Sequence, residues 1–388
     1  MRIDPQYGKE TGAGTLLKEK ERMKRVIGFL LAGVISLGLV ACGGQGSEQQ
    51  AENSAEQTQA ETNAGGTDET AAKAGGKSSL FDVADGDPDN PDKLGEVKPG
   101  KDYKLGLCLG WRDEFGSGLE AAIIAAAEAY GCEITSVDAN NNANNQISQV
   151  QTFVSQGCDG IIVKMVDTEN AEQILNVAGD VPITFVNIVP KIDLAGTNST
   201  KVGSNEREAG TFQAEFLIDY FKKKGVDKVR YVMLQGTLGL GHTTDRTNAA
   251  NETLAAAEGI DFELVYEDTA EYDRSKAQNK MQTYLGTNPE FDAVICNNDE
   301  MAIGATVAMK SAGMDLSDLP VCGIDATPAG LKAMADGDIA MSVYQDANGQ
   351  GLTAVRAAIV QANGNSIEPL IYVPYQPVTP DNMADYTK

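Results

Sequence analysis

The stretch FDAVICNNDEMAIGATVAM (residues 291–309) decides the fold. Ala293, Val294, Ile295 and Cys296 make a short uninterrupted apolar run, the signature of a strand buried on both faces. Asn297, Asn298 and Asp299 turn it, and from Met301 the apolar residues recur at helical spacing. A strand, a polar corner and a helix in that order are part of a βαβ unit. In an open parallel sheet, the corner beyond the strand's carboxyl end faces the crevice where ligands bind. Side-chain amides and a carboxylate at such a corner can donate to and accept from a polar solute.

Working outward, the same unit repeats. Strands are predicted over 105–110, 132–137, 160–165 and 181–187, with helices over 118–130, around 147–154 and over 171–177. A second series starts near Asn205. Its helix carries Phe212, Phe216, Leu217 and Tyr220, and strands follow at 229–234, 262–266 and 321–324, with helices over 244–257 and 277–285. Residues 339–344 and 370–373 read as late strands and crossings between the two series. Strands alternating with helices imply parallel sheets. The fold class is therefore α/β, two Rossmann-like lobes with parallel sheets joined by a three-crossing hinge.

Composition narrows the function. The chain carries 56 acidic against 31 basic residues and a net charge of -25, which repels a phosphate backbone and excludes nucleic acid as a partner. Its single histidine leaves little for acid–base catalysis, and no GxSxG or HExxH motif occurs. No CxxC occurs among the six cysteines; Cys108, Cys132, Cys158, Cys296 and Cys322 fall on or beside predicted strands and read as buried, inert thiols.

Cys42 is different. A basic run (18–25) and an apolar stretch (26–41) precede it, and LVAC (39–42) resembles the lipobox of bacterial lipoproteins. Residues 1–41 are read as an upstream extension and signal peptide, and Cys42 as the lipidated residue. Residues 42–100, poor in large apolar side chains, are read as a disordered acidic tether, because they cannot bury enough surface to offset ordering. Gly75-Gly76-Lys77-Ser78 imitates the end of a phosphate-binding loop, but Ala71 stands where its first glycine belongs. Asp85, Asp87, Asp89 and Glu96 imitate a calcium loop without its turn glycine or flanking helices.

Several further motifs, NNDEMAIGA (297–305), GIDATPAGL (323–331), QDANGQG (345–351), the terminal VPYQPVTPDNMADYTK and VDANNNANNQISQVQTFVSQGCDGIIV (137–163), resemble the periplasmic sugar-binding proteins of ABC transporters, and among them the glucose/galactose-binding type. The resemblance runs over nearly all of 104–388. It implies an N-terminal lobe of 101–204 plus 345–371 and a C-terminal lobe of 205–344 plus 372–388, closing over one sugar. Its hinge crossings fall near Ser204/Asn205, Tyr344/Gln345 and Ile371/Tyr372. Together with the lipobox resemblance, it implies a monomer held at the outer face of the cytoplasmic membrane by lipid on Cys42. Its partners are a monosaccharide, favoured as a galactose- or glucose-like hexose, and ABC permease subunits. It implies no enzyme activity, cofactor or metal; the loop 225–228 is too short for the family's calcium site.

Carried across motif by motif, the ligand-binding set is Asp113, Phe115, Asn187, His242, Arg246, Tyr272, Asn298, Asp325 and Gln345. Tyr272 stands where the family usually has tryptophan, and Gln345 where it has asparagine. Either Leu240 or His242 takes the place of the family's histidine, depending on the alignment. The chemistry of the residues agrees. Phe115 and Tyr272 offer flat apolar area to the C–H faces of a pyranose. Asp113, Asp325 and Arg246 can bridge its hydroxyls with charge-assisted hydrogen bonds, and Asn187, Asn298 and Gln345 can both donate and accept. The bland readings are a core phenylalanine, a surface tyrosine, a solvated Arg246, a structural Asn297 and an Asp325 that only caps the helix at Pro328, a role Thr327 could also fill. Gly116-x-Gly118-x-x-Ala121 imitates a dinucleotide fingerprint, but residues 111–115 separate it from the strand. A receptor presenting the same ligand to a kinase or chemoreceptor has the same site.

Overall fold

The computed structural model describes Leu94 and residues 96–387; the signal, Cys42 and nearly all of the tether lie outside the described residues. The N-terminal lobe is built on a six-stranded sheet. In chain order its strands are β1 (Lys104–Leu109), β2 (Glu133–Asp138), β3 (Gly160–Val163), β4 (Ile183–Val186), β5 (Thr200–Gly203) and β11 (Leu370–Tyr372). They lie side by side as β11-β5-β4-β3-β1-β2, every pair parallel. Helices α1 (Glu114–Ala129), α2 (Ala143–Ser155) and α3 (Ala171–Ala178) join them. Strand β1 shows why both faces need cover. Leu105, Leu107 and Leu109 pack with Leu119 and Ile123 of α1, while Cys108 faces the cluster of Val150 and Phe153 of α2.

The C-terminal lobe repeats the plan. Its sheet runs β7 (Asp261–Thr269), β6 (Lys228–Gln235), β8 (Ala293–Cys296), β9 (Val321–Cys322), all parallel. Helices α4 (Glu206–Lys223), α5 (Gly241–Ala255), α6 (Arg274–Leu285), α7 (Asp299–Ser311) and α8 (Pro328–Ala335) accompany it. Two bridges, Cys322 to Met341 and Asp325 to Tyr344, attach β10 (Ser342–Tyr344), which pairs antiparallel with β12 (Gln376–Val378). In both lobes the first strand, β1 or β6, lies between the next two, so the strand order reverses beside it and a crevice opens at the carboxyl ends.

The chain crosses between lobes at three places. It leaves the first sheet after Gly203 of β5 and enters α4. It returns after Tyr344 into α9 (Ala347–Ala362), whose Gln361 Oε1 accepts a hydrogen bond from Thr184 of β4 at 2.7 Å. After β11 it crosses again to β12.

The structure corrects several readings. Helix α1 starts at Glu114 rather than Gly118, because Asp113 caps it by accepting from the Gly116 N–H at 2.6 Å. Strand β5, TKVG, was not expected; its pairing between β4 and β11 makes it a strand. The end of the tether is docked: Val97 is buried in the first lobe's core, and Asn363 receives the Gly100 N–H at 2.9 Å and donates to the Lys98 carbonyl at 3.0 Å.

Candidate functional site

Every side chain of the site stands just past the carboxyl end of a strand or in the first turns of the helix that follows. Trp111, Asp113 and Phe115 follow β1, Lys164 follows β3, and Asn187 and Ile188 follow β4. From the other lobe, His242 and Arg246 stand on α5, Tyr272 follows β7, Asn298 follows β8, Asp325 follows β9 and Gln345 follows β10. Together these residues line one small cavity between the lobes. All nine residues expected from the sequence are brought together. Of the pair left open, His242 lines the cavity, whereas Leu240 lines the outer cleft.

Backbone strain marks the same corners. Asn187 (φ 63°), Tyr272 (φ 60°) and Asp325 (φ 115°) occupy left-handed conformations unusual for non-glycine residues, each costing on the order of 1–3 kcal/mol. The surroundings hold them there. The Asp325 N–H donates to Val343 at 2.7 Å, its carbonyl accepts from Gln345 at 3.1 Å, and the Asn187 N–H donates to Val202 at 2.8 Å.

Arg246 is the most constrained group. Its Nε donates to Glu206 at 2.7 Å, Nη1 to the Asn297 carbonyl at 2.7 Å, and Nη2 to Tyr375 at 2.8 Å and Gln345 at 3.3 Å. A guanidinium has about five N–H donors, so one on Nη1 remains for the cavity. Burial disfavours its charge, but Glu206 and its neighbours more than offset that and hold its pKa well above the usual value. Tyr375 completes the cluster by donating to Glu206 at 2.8 Å.

Asp325 is the opposite case. Its carboxylate accepts no hydrogen bond from another described residue, and burial, only partly relieved by Arg246, pushes its pKa well up. It does not cap α8, since Thr327 does so by accepting from Gly330 at 3.1 Å. Gln345 is similarly incomplete: its Nε2 is buried without a partner. Within the protein, Asp325 and Gln345 thus each keep a polar group unmatched, worth about 1–3 kcal/mol if left unpaired.

On the first lobe, Asp113 accepts from Gly116 and from Trp111 Nε1 at 3.0 Å, and its carboxylate lies 3.7 Å from Lys164 Nζ. Burial alone would raise its pKa; Lys164 and these two hydrogen bonds outweigh burial and hold it below the usual carboxylate range. On the second lobe, His242 stacks on Tyr272 with ring centroids 5.0 Å apart and planes 17° from parallel. Burial, then Arg246 and Lys164, keep the imidazole well below its ordinary pKa, so it is neutral. The Tyr272 ring lies so close to Gly236 that a Cβ there would fall 2.0 Å from it. Glycine at 236 therefore sets the position of that ring.

The corner 297–299 serves more than one purpose. Only Asn298 lines the cavity, and its Oδ1 also caps α7 by accepting from Met301 at 3.0 Å. Asn297 is structural, its Oδ1 accepting from Gly236 at 3.0 Å and Thr247 at 3.1 Å. Asp299, expected to face the solute, points away from it. Its carboxylate accepts from Ser342 at 2.6 Å and from the Thr327 N–H at 3.1 Å, fully buried between α7, α8 and β10. The sequence reading missed Lys164 and Ile188 altogether and left Trp111 out of the ligand-binding set. A lysine directly after GIIV was the sole hint, and it reads equally as the solvent end of a strand.

Among the described residues there is no group of three or more His, Cys, Asp or Glu arranged to hold a metal, and no helix long and apolar enough to cross a membrane.

Comparison with known proteins places this geometry among relatives. A family model described as "Periplasmic binding protein domain" matches residues 110–366. A putative rhizopine-binding protein of Rhizobium meliloti is 37% identical over 278 residues, covering 71% of this chain and 89% of its own. The D-galactose/methyl-galactoside binding periplasmic protein of Haemophilus influenzae is 27% identical over 310 residues, 74% of this chain and 92% of its own. Among solved structures, an ABC transporter solute binding protein from Bacillus halodurans with bound myo-inositol is 34% identical. It superposes with a TM-score of 0.68 over 75% of this chain and 98% of that one.

Proposed function

We infer the function from one premise: the chain belongs to the periplasmic binding protein family, which it matches over residues 110–366. It is a sugar-class substrate-binding protein of an ABC transporter, acting outside the cytoplasm; its relatives bind and deliver solutes and are not enzymes. On that basis we propose that its ligand is an uncharged six-membered ring bearing hydroxyls on most of its carbons. A cyclitol of the myo-inositol kind ranks ahead of galactose or glucose. A solved protein 34% identical that holds myo-inositol supports this order; a xylitol-binding relative is 31% and the galactose binder 27% identical.

One observation carries the reading: a cavity between two lobes lined by Asp325, whose carboxylate accepts no hydrogen bond from another described residue, and by Gln345, whose Nε2 is buried without a partner. A ring hydroxyl both donates and accepts, so adjacent hydroxyls satisfy both groups. In this proposal Asp325, Arg246 and Asp113 bridge hydroxyls, Asn187, Asn298, Gln345 and neutral His242 read single ones, and Phe115 and Tyr272 meet the ring's apolar faces. Closure follows because the ligand gains these contacts only when both lobes reach it. We further propose that the protein is a monomer anchored by lipid on Cys42, which keeps it beside its permease.

The test is a thermal-shift panel of myo-inositol, D-galactose, D-glucose, D-ribose and xylitol. A ligand at 100 times its Kd adds about 2.7 kcal/mol of stability. Stabilisation by myo-inositol at the lowest concentration supports the proposed order; stabilisation only by an acyclic polyol or a pentose contradicts it.

A further inference from the structure

Lys164 is among the most deeply buried side chains of the protein, at 1% exposure. A lysine is rarely placed so unless its charge has a task. Its backbone is clamped at the end of β3: the N–H donates to Cys108 at 3.0 Å, and the carbonyl accepts from Gln146 Nε2 at 2.7 Å. Its side chain is thereby sent into the space between the lobes, where it lines the cavity. The ammonium lies 4.3 Å from the centre of the Trp111 ring and 3.7 Å from Asp113 Oδ1. Those contacts orient it without saturating it. An ammonium carries about three N–H donors, and among the described residues Nζ donates no hydrogen bond. Asp113 is itself already occupied by Gly116 and Trp111. The fit is close, for a Cβ on Gly116 would stand 3.0 Å from Nζ.

We propose that Lys164 is a specificity-determining residue of the binding site, donating hydrogen bonds to oxygen acceptors on neighbouring ring carbons of the ligand. This rests on the polyol reading above and deepens it: the ligand's edge beside Trp111 and Asp113 carries oxygens able to accept. Trp111 holds the ammonium by its ring face, and Asp113 fixes Trp111 through the indole N–H. The three residues act as one cationic reader on the first lobe, opposite Asp325 on the second.

The experiment is calorimetric titration of wild type, Lys164→Met and Lys164→Gln with myo-inositol, D-galactose and the monodeoxy analogues of each. Methionine keeps the apolar stem and removes every donor; glutamine restores one and guards against a misfolded methionine variant. The expected result is a loss of about 10- to 100-fold for the parent ring in Lys164→Met, partly recovered in Lys164→Gln. The monodeoxy analogues that lack an oxygen Lys164 reads should show a smaller loss on Lys164→Met than the parent ring does, and they should be analogues at neighbouring carbons. Unchanged affinity in Lys164→Met overturns the proposal. So does an equal loss across all analogues with a lowered melting temperature of the ligand-free protein, which is the pattern of a structural role. Failure of wild type to bind any of these rings overturns the polyol reading and this inference with it, whereas the preceding results strike Lys164 alone.

Discussion

Glu114 and Ala329, 215 positions apart in the chain, are joined across the cleft: the Glu114 carboxylate accepts the Ala329 N–H at 3.1 Å. Ala329 stands in the first turn of α8, where N–H groups have no helical partner and the helix dipole favours an anion. Glu114 stands in the first turn of α1 and lines the outer cleft, not the ligand cavity. The contact exists only when the lobes are together, so it stabilises the closed form. Glu114→Ala should weaken ligand binding about tenfold, through faster dissociation, and leave the ranking of ligands unchanged. Stopped-flow dissociation rates check this; an unaltered rate contradicts it.

Trp111 is the sole tryptophan of the chain. Its ring lies under the Lys164 ammonium and beside the cavity. Opening of the lobes or arrival of a ligand alters that environment. Titration with the stabilising ligand should change tryptophan emission saturably, with the same Kd as calorimetry. A constant spectrum in the presence of a ligand that raises the melting temperature counts against this placement of Trp111.

Asp299 makes stability depend on pH. Burial raises its carboxyl pKa from 3.8 to about 7, despite the hydrogen bonds from Ser342 and Thr327. Its folded pKa lies above its unfolded value, so its contribution is fully present below pH 3.8 and is lost as pH rises through about 7. The loss has a ceiling on the order of 4 kcal/mol. Asp299→Asn cannot ionise. The stability difference between this variant and wild type should therefore shift in the variant's favour as pH rises from about 5 to about 8. Urea unfolding across that range measures the difference, and a pH-independent value would refute the assignment.

Arg246 and Asp325 should respond in opposite senses when neutralised. Arg246→Met strands Glu206, Tyr375 and the Asn297 carbonyl in the interior; breaking such a buried cluster costs about 3–5 kcal/mol. The ligand-free variant should unfold at distinctly lower urea. Asp325 accepts no hydrogen bond from another described residue and burial opposes its ionisation, so replacing it with a neutral amide removes a desolvation cost and no structural contact.

What was legible in the sequence follows from how local each signal is. GIIV and AVIC announce buried strands by themselves. TKVG does not, because Lys201 and Thr200 hide a strand that exists only through pairing with β4 and β11. The start of α1 was misplaced because Gly116 and Gly118 read as loop, whereas the Asp113 cap overrides them. The motif residues of the cavity were readable as a set because each follows a strand's carboxyl end, where the fold gathers them. Lys164 was not, since a lysine after an apolar run resembles a strand's solvent end. Only the approach of Trp111 and Asp113 from β1 gives it a task. The inward turn of Asp299 was hidden for the same reason, its partners Thr327 and Ser342 being distant in sequence.

The most direct test of the account is a thermal melt of wild type and Asp325→Asn, each with and without saturating myo-inositol and, separately, D-galactose. The account predicts that wild type melts later with at least one of these rings. Asp325→Asn should melt later than wild type without ligand and gain little or nothing from either ring. If neither ring shifts wild type, or if Asp325→Asn shifts as far as wild type does, two closing lobes matching ring hydroxyls at Asp325 is the wrong description of this site.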